Sequence, residues 1–331
     1  MELVCPAGSL PSLRAAVDNG ADAVYIGFRD GLNARNFPGL NFERDEAQVG
    51  VRYAHDRGVR LFVAMNVYPR AWQWPAAVAA IDQVASLGVD ALILADPGLM
   101  RHARERHPGL NLHLSVQSSA TNWRALEFYR REFGVRRAVL PRVLSLAQVR
   151  NVIARTKLEI EVFGFGSLCV MVEGRCALSS YVTGESPNSH GVCSPAHAVR
   201  WAEKPNGRES RLNGVLIDRF APGEHAGYPT LCKGRFEAGG HVHHALEEPA
   251  SLNVLGILPQ LLQAGVRAIK IEGRQRSPAY VAQVTRAMRA ELDACTRDID
   301  DYQPGADSMR VLDRLAEGSS HTLGAFDRPW Q

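Results

Sequence analysis

The chain has 331 residues, of which 46% are hydrophobic and 22% are charged, and its formal net charge is +3. This composition is ordinary for a globular enzyme, and so small a net charge gives little long-range attraction to nucleic acid or to an anionic membrane. No stretch is long and apolar enough to span a bilayer, and no signal peptide is visible. We therefore expect a cytoplasmic protein with no nucleic-acid partner and no membrane insertion.

A glycine followed by a short apolar run recurs along the chain, as is typical of strands buried on both faces. The predicted strands are 3–5, 20–27, 58–66, 88–96, 112–117, 134–142, 159–165 and 265–272. Eight strands that alternate with helices predict a parallel α/β sheet, closed most economically as a TIM-barrel-like (β/α)8 fold. An open doubly wound sheet is the alternative. Ser277 and Pro278 predict the start of the last long helix, over the amphipathic run 280–292.

The alternation is interrupted between the seventh and eighth strands by residues 166–252. A usual loop between strand and helix has about two to six residues, so this segment is an insertion. We divide the chain into barrel strands one to seven (1–165), the cysteine-bearing insertion (166–252), the last helices with the eighth strand (253–299) and a C-terminal extension (300–331).

Four of the six cysteines lie in the insertion, at Cys169, Cys176, Cys193 and Cys232. A cytosolic chain keeps thiols reduced, so metal binding is a better use for them than disulfides. Four thiolates suit zinc or an iron–sulfur cluster. Structural zinc usually takes closely spaced cysteine pairs, whereas six, sixteen and thirty-eight residues separate these four. The spacing therefore favours a cluster, with zinc and ordinary buried cysteines as alternatives.

The position of the first of these cysteines predicts where the centre lies. Cys169 follows the seventh strand by a few residues, and loops after barrel strands open onto the C-terminal face, where barrel enzymes do their chemistry. We expect the centre at the barrel mouth. Cys5 and Cys295 are instead predicted to pack in the core or at a helix end.

Side chains alternate in and out along a strand, which predicts a polar barrel interior. The residues expected to point inward or upward are His113, Ser115, Gln117, Lys270, Glu272, Arg274, Asn66, Asp96, Arg142 and Glu161. Burying so many polar groups without partners is costly, so they are interpreted as a ligand pocket. A structural ion-pair network of Lys270, Glu272, Arg142 and Glu161 is the alternative.

The cations of this set indicate an anionic ligand, because a guanidinium fork matches a carboxylate. We predict that Lys270, Glu272, Arg274 and Gln117 carry the chemistry. Arg35, Asn66, Arg142 and Glu161 are predicted to bind substrate. His241, His243 and His244 could form a metal site, but an exposed hairpin is the better interpretation.

Two adjacent motifs carry a family resemblance. Residues 161–169 read Glu-Val-Phe-Gly-Phe-Gly-Ser-Leu-Cys, and residues 174–179 read Gly-Arg-Cys-Ala-Leu-Ser. Together they resemble the signature of the collagenase-like peptidase family of unassigned catalytic type. Further matching stretches are 5–8, 33–37, 115–117, 184–188, 227–235, 245–249, 270–280 and the final Trp330 and Gln331.

The resemblance implies a barrel with a [4Fe–4S] cluster on Cys169, Cys176, Cys193 and Cys232, and the sequence shows no departure at these positions. From the ubiquinone-synthesis members it also implies a heterodimer with a homologous subunit, UbiV, that carries its own cluster. It implies oxygen-independent hydroxylation of the ubiquinone precursor ring, with prephenate as oxygen donor. Prephenate is a dicarboxylate, so the inward cations would be a sensible receptor. An apolar quinone precursor further leads us to expect a lipid-carrying partner.

Three other functions stay open. The family label suggests a peptidase, although neither a Gly-x-Ser-x-Gly nor a His-Glu-x-x-His motif occurs. Relatives with the same signature hydroxylate RNA bases, and the small net charge counts against that function here. The chain could also be a non-catalytic scaffold whose cluster stabilises the insertion or passes electrons to a partner.

Overall fold

The first half of the chain alternates strands with helices, as predicted. In the computed structural model, which describes residues 1–328, seven strands run parallel and each pairs with the next along the chain. They are β1 (Glu2–Pro6), β2 (Ala23–Ile26), β3 (Arg60–Met65), β4 (Ala91–Leu94), β5 (Leu112–Leu114), β6 (Arg137–Val139) and β7 (Glu159–Ser167). The helices are α1 (Leu10–Asp18), α2 (Arg44–His55), α3 (Trp74–Ser86), α4 (Pro97–Arg106), α5 (Trp123–Phe133) and α6 (Leu146–Ile153).

Local signals in the sequence set the ends of these helices. Ser9, Asn122 and Ser145 each accept a hydrogen bond from a first-turn backbone N–H, so they cap α1, α5 and α6. Gly134 ends α5 at a φ of 68°, a left-handed conformation that glycine adopts without a steric penalty. The chain then turns back directly into β6.

The insertion after β7 consists of short elements with a small core of their own. Two short helices, α7 (Leu178–Thr183) and α8 (Pro187–His190), come first. An antiparallel sheet of β8 (Val199–Lys204), β9 (Gly207–Leu212) and β10 (Val215–Phe220) follows, and then a hairpin of β11 (Arg235–Ala238) and β12 (His241–His244). His241 and His243 are exposed on this hairpin, which confirms the hairpin interpretation.

The chain then returns to the barrel and closes it. β13 (Ser251–Asn253) pairs antiparallel with the end of β7, so the predicted boundary at 252 falls inside a strand. After α9 (Leu258–Ala264), β14 (Ala268–Ile271) pairs in parallel with both β1 and β7. The closed barrel of eight parallel strands is thus confirmed.

The C-terminal segment packs onto this barrel. α10 (Pro278–Arg297) begins as predicted, with the Ser277 hydroxyl accepting a hydrogen bond from the Tyr280 N–H at 3.3 Å. α11 (Ala306–Leu315) packs against α10, and β15 (His321–Thr322) pairs with β13. The extension is therefore ordered over its described part, while Trp330 and Gln331 lie outside the described residues. Within residues 1–328, no helix is long and apolar enough to cross a membrane.

Two apolar layers fill the fold. The larger lies between the strands and the helices, and Cys5 and Cys295 are fully buried in it, as predicted. The smaller lies inside the barrel and consists of Val4, Ala23, Tyr25, Phe62, Ala64, Ala91, Ile93 and Ala268. Lys270 and Glu272 follow Ala268 at two-residue spacing, so the inner face becomes charged toward the C-terminal ends of the strands.

Candidate functional site

The cysteine loops lie directly on the barrel mouth. A Cβ atom placed on Gly174, at a φ of 86°, would lie 1.8 Å from the Gln117 carbonyl oxygen. A Cβ atom on Gly191 would lie 2.4 Å from the carbonyl oxygen of Asn33. These two glycines precede Cys176 and Cys193 by two residues each, so both cysteines are held against the loops that follow β2 and β5.

Hydrogen bonds tie the remaining cysteine segments together. The Ser179 hydroxyl donates to the Cys193 carbonyl, which links α7 to the third cysteine. Lys233, next to Cys232, donates through Nζ to the Ser167 hydroxyl at 2.8 Å, and Ser167 ends β7 just before Cys169. All four segments therefore converge at one end of the barrel.

The four cysteines are half-buried, and their thiols act on one another electrostatically. Burial raises the pKa of Cys193, Arg35 lowers it, and the neighbouring Cys176 raises it again. Burial raises the pKa of Cys232 to about 11, with a further contribution from Cys193. Burial also raises the pKa of Cys169, followed by repulsion from Glu173. The raised pKa values of Cys169, Cys193 and Cys232 disfavour their thiolates, so a shared positive centre would be needed to hold these three thiols ionised.

The separation of the sulfur atoms distinguishes one metal ion from a cluster. Sulfurs bound to one zinc ion at 2.3 Å in a tetrahedron stand about 3.8 Å apart. In the part of the chain that the structure describes, only Asp82, His102 and His107, on the outer helices, form a group of three ligand atoms all within 4.8 Å of one another. No three of the four cysteine sulfurs therefore lie within 4.8 Å of one another, as three ligands of one zinc ion would, and four thiolates so arranged suit a polynuclear iron–sulfur cluster better.

A charged network lies between the cysteines and the barrel axis. Glu272 accepts hydrogen bonds from Arg35 Nε at 3.1 Å and from Arg142 Nη2 at 2.5 Å. Arg142 also donates to Glu173 Oε1 at 2.6 Å, and its guanidinium stacks 3.5 Å from the Phe163 ring centroid. Burial alone would raise the pKa of Glu272, but Arg35 and Arg142 bring it down to about 2. Glu272 is therefore held as a carboxylate between two cations.

A second network lies deeper in the barrel. Lys270 Nζ lies 2.8 Å from Glu161 Oε1, and Arg137 Nη1 lies 3.4 Å from Glu161 Oε2. The side chains of all three are at least nine-tenths buried. The Lys270 ammonium also lies 3.8 Å from the ring centroid of Tyr25. Lys270 is thus enclosed by a carboxylate and an aromatic face.

Arg274 differs from the other cations at the mouth. It is 4% exposed, and its Nη1 donates to the Asn33 side-chain oxygen at 3.0 Å. Its guanidinium also lies 5.8 Å from the centroid of the Tyr25 ring. No carboxylate of residues 1–328 lies within 4.0 Å of it, and burial lowers its pKa to about 10. A buried guanidinium with one neutral hydrogen-bond partner is an incompletely satisfied donor group.

Neutral polar groups extend from Arg274 around the mouth. The residue after Asn33, Ala34, donates its backbone N–H to the Asn66 side-chain oxygen at 2.9 Å. The Asn66 amide donates to the Ser115 hydroxyl at 3.0 Å, and this hydroxyl accepts from the Gln117 N–H at 3.2 Å. The loops after β2, β3 and β5 therefore form one continuous polar wall.

The predicted pocket residues lie in the barrel interior or at its mouth, except for Asp96. Asp96 caps α4 by accepting a hydrogen bond from the Leu99 N–H at 3.0 Å, so it serves the helix rather than the pocket. The fifth strand ends at Leu114, because Ser115 caps a short 3-10 turn that contains Gln117.

Three participants were missed from sequence. Glu173 lies between two cysteines and pairs with Arg142, Asn33 bonds Arg274, and Arg137 pairs with Glu161. Asn33 begins one of the matching motifs, which was the available signal. Arg137 lies at the start of β6 and follows several other arginines, and nothing in the local sequence indicates that it is buried.

Comparisons with known proteins agree with this architecture. Residues 8–324 match the family model of Peptidase family U32. A tRNA hydroxylation protein P of Escherichia coli (strain K12) is 32% identical, over 97% of this chain and 72% of that protein. An uncharacterized protease of Methanocaldococcus jannaschii is 32% identical, over 89% of this chain and 65% of that protein. A 23S rRNA 5-hydroxycytidine synthase of Escherichia coli is 31% identical, over 99% of this chain and 47% of that protein. The chain therefore belongs to peptidase family U32, the collagenase-like family that its cysteine motifs resemble.

Proposed function

We propose that this protein is the iron–sulfur subunit of an oxygen-independent hydroxylase that acts on the ubiquinone precursor ring, equivalent to the family member UbiU. One observation carries the proposal: four cysteine segments converge over a barrel mouth lined by buried charged and polar side chains. A cofactor and a ligand pocket would then adjoin at the face where barrel enzymes place their chemistry.

The proposed cofactor is a [4Fe–4S] cluster held by Cys169, Cys176, Cys193 and Cys232. When bound, such a cluster supplies single-electron transfer or a Lewis-acid iron. Four thiolates gather negative charge, and the guanidiniums of Arg35 and Arg142 lie where they offset it. Both act on the cysteines electrostatically, Arg35 on Cys193 and Arg142 on Cys169.

Hydroxylation is supported by the names of the relatives. Two of the proteins compared above are described by the hydroxylation of tRNA or the formation of hydroxycytidine. Such proteins share the barrel sequence and differ in substrate. The ubiquinone ring as substrate and prephenate as oxygen donor are proposals that rest on the motif resemblance and, for the donor, on the Arg274 guanidinium, which has no carboxylate partner in residues 1–328.

The proposed assembly has two further members. The first is a homologous UbiV-like subunit that forms a heterodimer with this chain and carries its own cluster. The second is a lipid-carrying protein of the ubiquinone pathway, because a polyprenylated ring is poorly soluble in water. We place this assembly in the cytoplasm.

Hydroxylation of an RNA base is the second candidate, favoured by the same relatives. Binding to RNA needs a positively charged surface near the site. The insertion that surrounds the mouth has eight Lys and Arg against nine Asp and Glu over 166–252, and several of its arginines already pair with carboxylates, as Arg208, Arg219 and Arg235 do. This charge balance fits a small ligand better than a polyanion.

Peptide hydrolysis, suggested by the family name, is less well supported. A cysteine nucleophile needs a lowered pKa, whereas burial raises the pKa of Cys169, Cys193 and Cys232. Peptide cleavage by protein from which iron has been removed would revive this candidate.

The test is anaerobic purification, alone and with the UbiV-like subunit, followed by iron, sulfide and zinc analysis and a visible spectrum. We expect about four irons and four sulfides per chain. The Cys176→Ala variant should lose them, whereas Cys295→Ala, which removes a core cysteine away from the mouth, should keep them. Stoichiometric zinc without sulfide would refute the cluster. The loaded pair should then hydroxylate a ubiquinone precursor without dioxygen when prephenate is added.

A further inference from the structure

Three side chains of metal-ligating type meet on the outer helices, at the end of the barrel opposite the mouth. Asp82 lies near the end of α3, His102 lies in α4, and His107 follows α4 directly, shortly before β5 begins. The Asp82 Oδ1 atom lies 3.0 Å from His102 Nε2 and 2.7 Å from His107 Nε2. One carboxylate oxygen therefore faces two imidazole nitrogens.

The packing of the two helices holds these side chains in place. Ile81, which precedes Asp82, and Ala103, which follows His102, are both fully buried. The His107 N–H donates to the Ala103 carbonyl at 2.9 Å, and α4 ends there. The donor atoms thus stand on packed helices rather than on a free loop, which reduces the entropy lost when they bind an ion.

The arginines beside the histidines are directed toward the next helix, α5. The Arg101 guanidinium lies 5.9 Å from the centroid of the Phe133 ring, and Arg104 donates to the Arg131 carbonyl at 2.9 Å. Within residues 1–328, the Asp82 carboxylate has the two imidazoles and no lysine or arginine nitrogen within 4.0 Å. A cation bound at Asp82 would therefore displace no permanent positive charge.

The distances suit one ion of the size of Zn²⁺. Nitrogen and oxygen ligands at about 2.0–2.1 Å in a tetrahedron stand roughly 3.3 Å apart. The two distances from Asp82 are slightly shorter than this, and all three ligand atoms lie within 4.8 Å of one another. Small side-chain movements would let an ion replace the two hydrogen bonds. Each neutral imidazole would then carry its proton on Nδ1 and bind the ion through Nε2.

From this arrangement we propose that Asp82, His102 and His107 bind one Zn²⁺ ion, with water in the fourth position, and that the ion fastens α3 to α4. Imidazole and carboxylate are both zinc ligands, and three of them leave one position open. The site lies away from the strand ends where barrel enzymes place their chemistry, so its role is to stabilise the folded chain. It is independent of the four cysteines and of the proposed function.

The test compares the zinc content of the parent protein with that of His102→Gln. Both are prepared anaerobically, equilibrated with Zn²⁺ and dialysed against metal-free buffer. Metal held by the cysteines is the same in both proteins, so the difference counts the outer site alone. Glutamine can still donate a hydrogen bond to Asp82, so this variant removes the imidazole ligand while it keeps a link between the helices.

We expect His102→Gln and His107→Gln each to retain one zinc fewer per chain than the parent protein. Partners that only hydrogen-bond to a metal ligand contribute about 10- to 100-fold to metal affinity. Loss of a ligand itself should therefore weaken the dissociation constant for Zn²⁺, measured by competition with a chromophoric chelator, at least about tenfold. Added Zn²⁺ should raise the thermal midpoint of the parent protein more than that of either variant.

His55→Gln is the matched control. His55 Nε2 lies 2.8 Å from Asp90 Oδ2, and this pair belongs to no group of three ligand atoms within residues 1–328. The His55→Gln variant should retain as much zinc as the parent protein. Equal zinc in the parent protein and His102→Gln would overturn the proposal and leave the two histidines as hydrogen-bond partners of Asp82. An equal loss of zinc in His55→Gln would overturn it too, because surface histidines would then bind zinc without a defined site.

Discussion

Lys270 lies in β14 and Arg274 just beyond its end, and their contacts predict different effects of replacement. Lys270 Nζ lies 2.8 Å from Glu161, and their side chains are 7% and 1% exposed. Lys270→Met would leave the Glu161 carboxylate buried with a weaker partner, Arg137, at 3.4 Å. We expect a loss of stability rather than a specific loss of ligand binding.

The size of this effect follows from the burial of the pair. Removal of one partner of a buried ion pair costs about 3–5 kcal/mol, because the other charge stays buried. Arg137 still offsets part of the Glu161 charge, so the lower figure applies, about 3 kcal/mol. For a chain of this size that corresponds to a fall of about 4 °C in the thermal midpoint.

A double-mutant cycle with Glu161→Gln tests whether the two residues act as a pair. Urea unfolding under reducing conditions gives the free energy of unfolding for both single variants and the double variant. If the pair is structural, the double variant should lose at least about 2 kcal/mol less than the sum of the single losses. Additive losses, or a Lys270→Met variant of parental stability that no longer binds prephenate, would refute the structural assignment.

Two further predictions concern the cysteine loop and acid stability. Gly174→Ala should displace the loop from Gln117 and lower the iron content of anaerobic preparations. Gly184→Ala, also at positive φ but with nothing within 4 Å of the added Cβ, should retain iron; equal iron in both variants would contradict the docking of the loop. Glu127 has a pKa of about 2, since hydrogen bonds from the Lys157 N–H and Arg130 outweigh burial. Its contribution, up to about 3 kcal/mol, should therefore be present above pH 4.5 and lost as pH falls toward 2. In the Glu127→Gln variant, the urea midpoint should change less with pH across this range than it does in the parent protein. The same pH dependence in both proteins would contradict the prediction.

The barrel could be predicted from sequence because its signals are local. A glycine that ends a helix and an apolar run that follows it lie within ten residues of each other, and both act on the backbone that carries them. The fifth strand was predicted too long at its end for the same reason. Residues 115–117 continue the alternation of polar and apolar residues. However, the Ser115 hydroxyl accepts a hydrogen bond from the Gln117 N–H, and the chain turns there instead of continuing the strand.

The pocket could be predicted only in part, because alternation gives the direction of a side chain and not its partner. Lys270 and Arg274 were both expected to point inward, and both do. Whether each of these two cations has a carboxylate partner depends on residues more than a hundred positions away in the sequence, such as Glu161. Closure of the barrel, which pairs β14 with β7, brings such residues into contact. Asp96 was also expected to point into the pocket, but its side chain accepts a hydrogen bond from the Leu99 N–H and caps the helix that follows.

The separation of paired from unpaired charges bears on how one family can serve different substrates. The ion pairs around Glu272 and Glu161 connect the cysteine insertion to strands β6, β7 and β14, so changes there should disturb the fold of this chain and the proposed cluster. Arg274 has no carboxylate partner within 4.0 Å in residues 1–328, and the Gln117 Oε1 atom accepts no hydrogen bond from the described residues. These two residues lie in a loop and just beyond β14, at positions that can vary without breaking the barrel. Substrate identity should therefore be altered more readily at Arg274 and Gln117 than at Lys270 or Arg142.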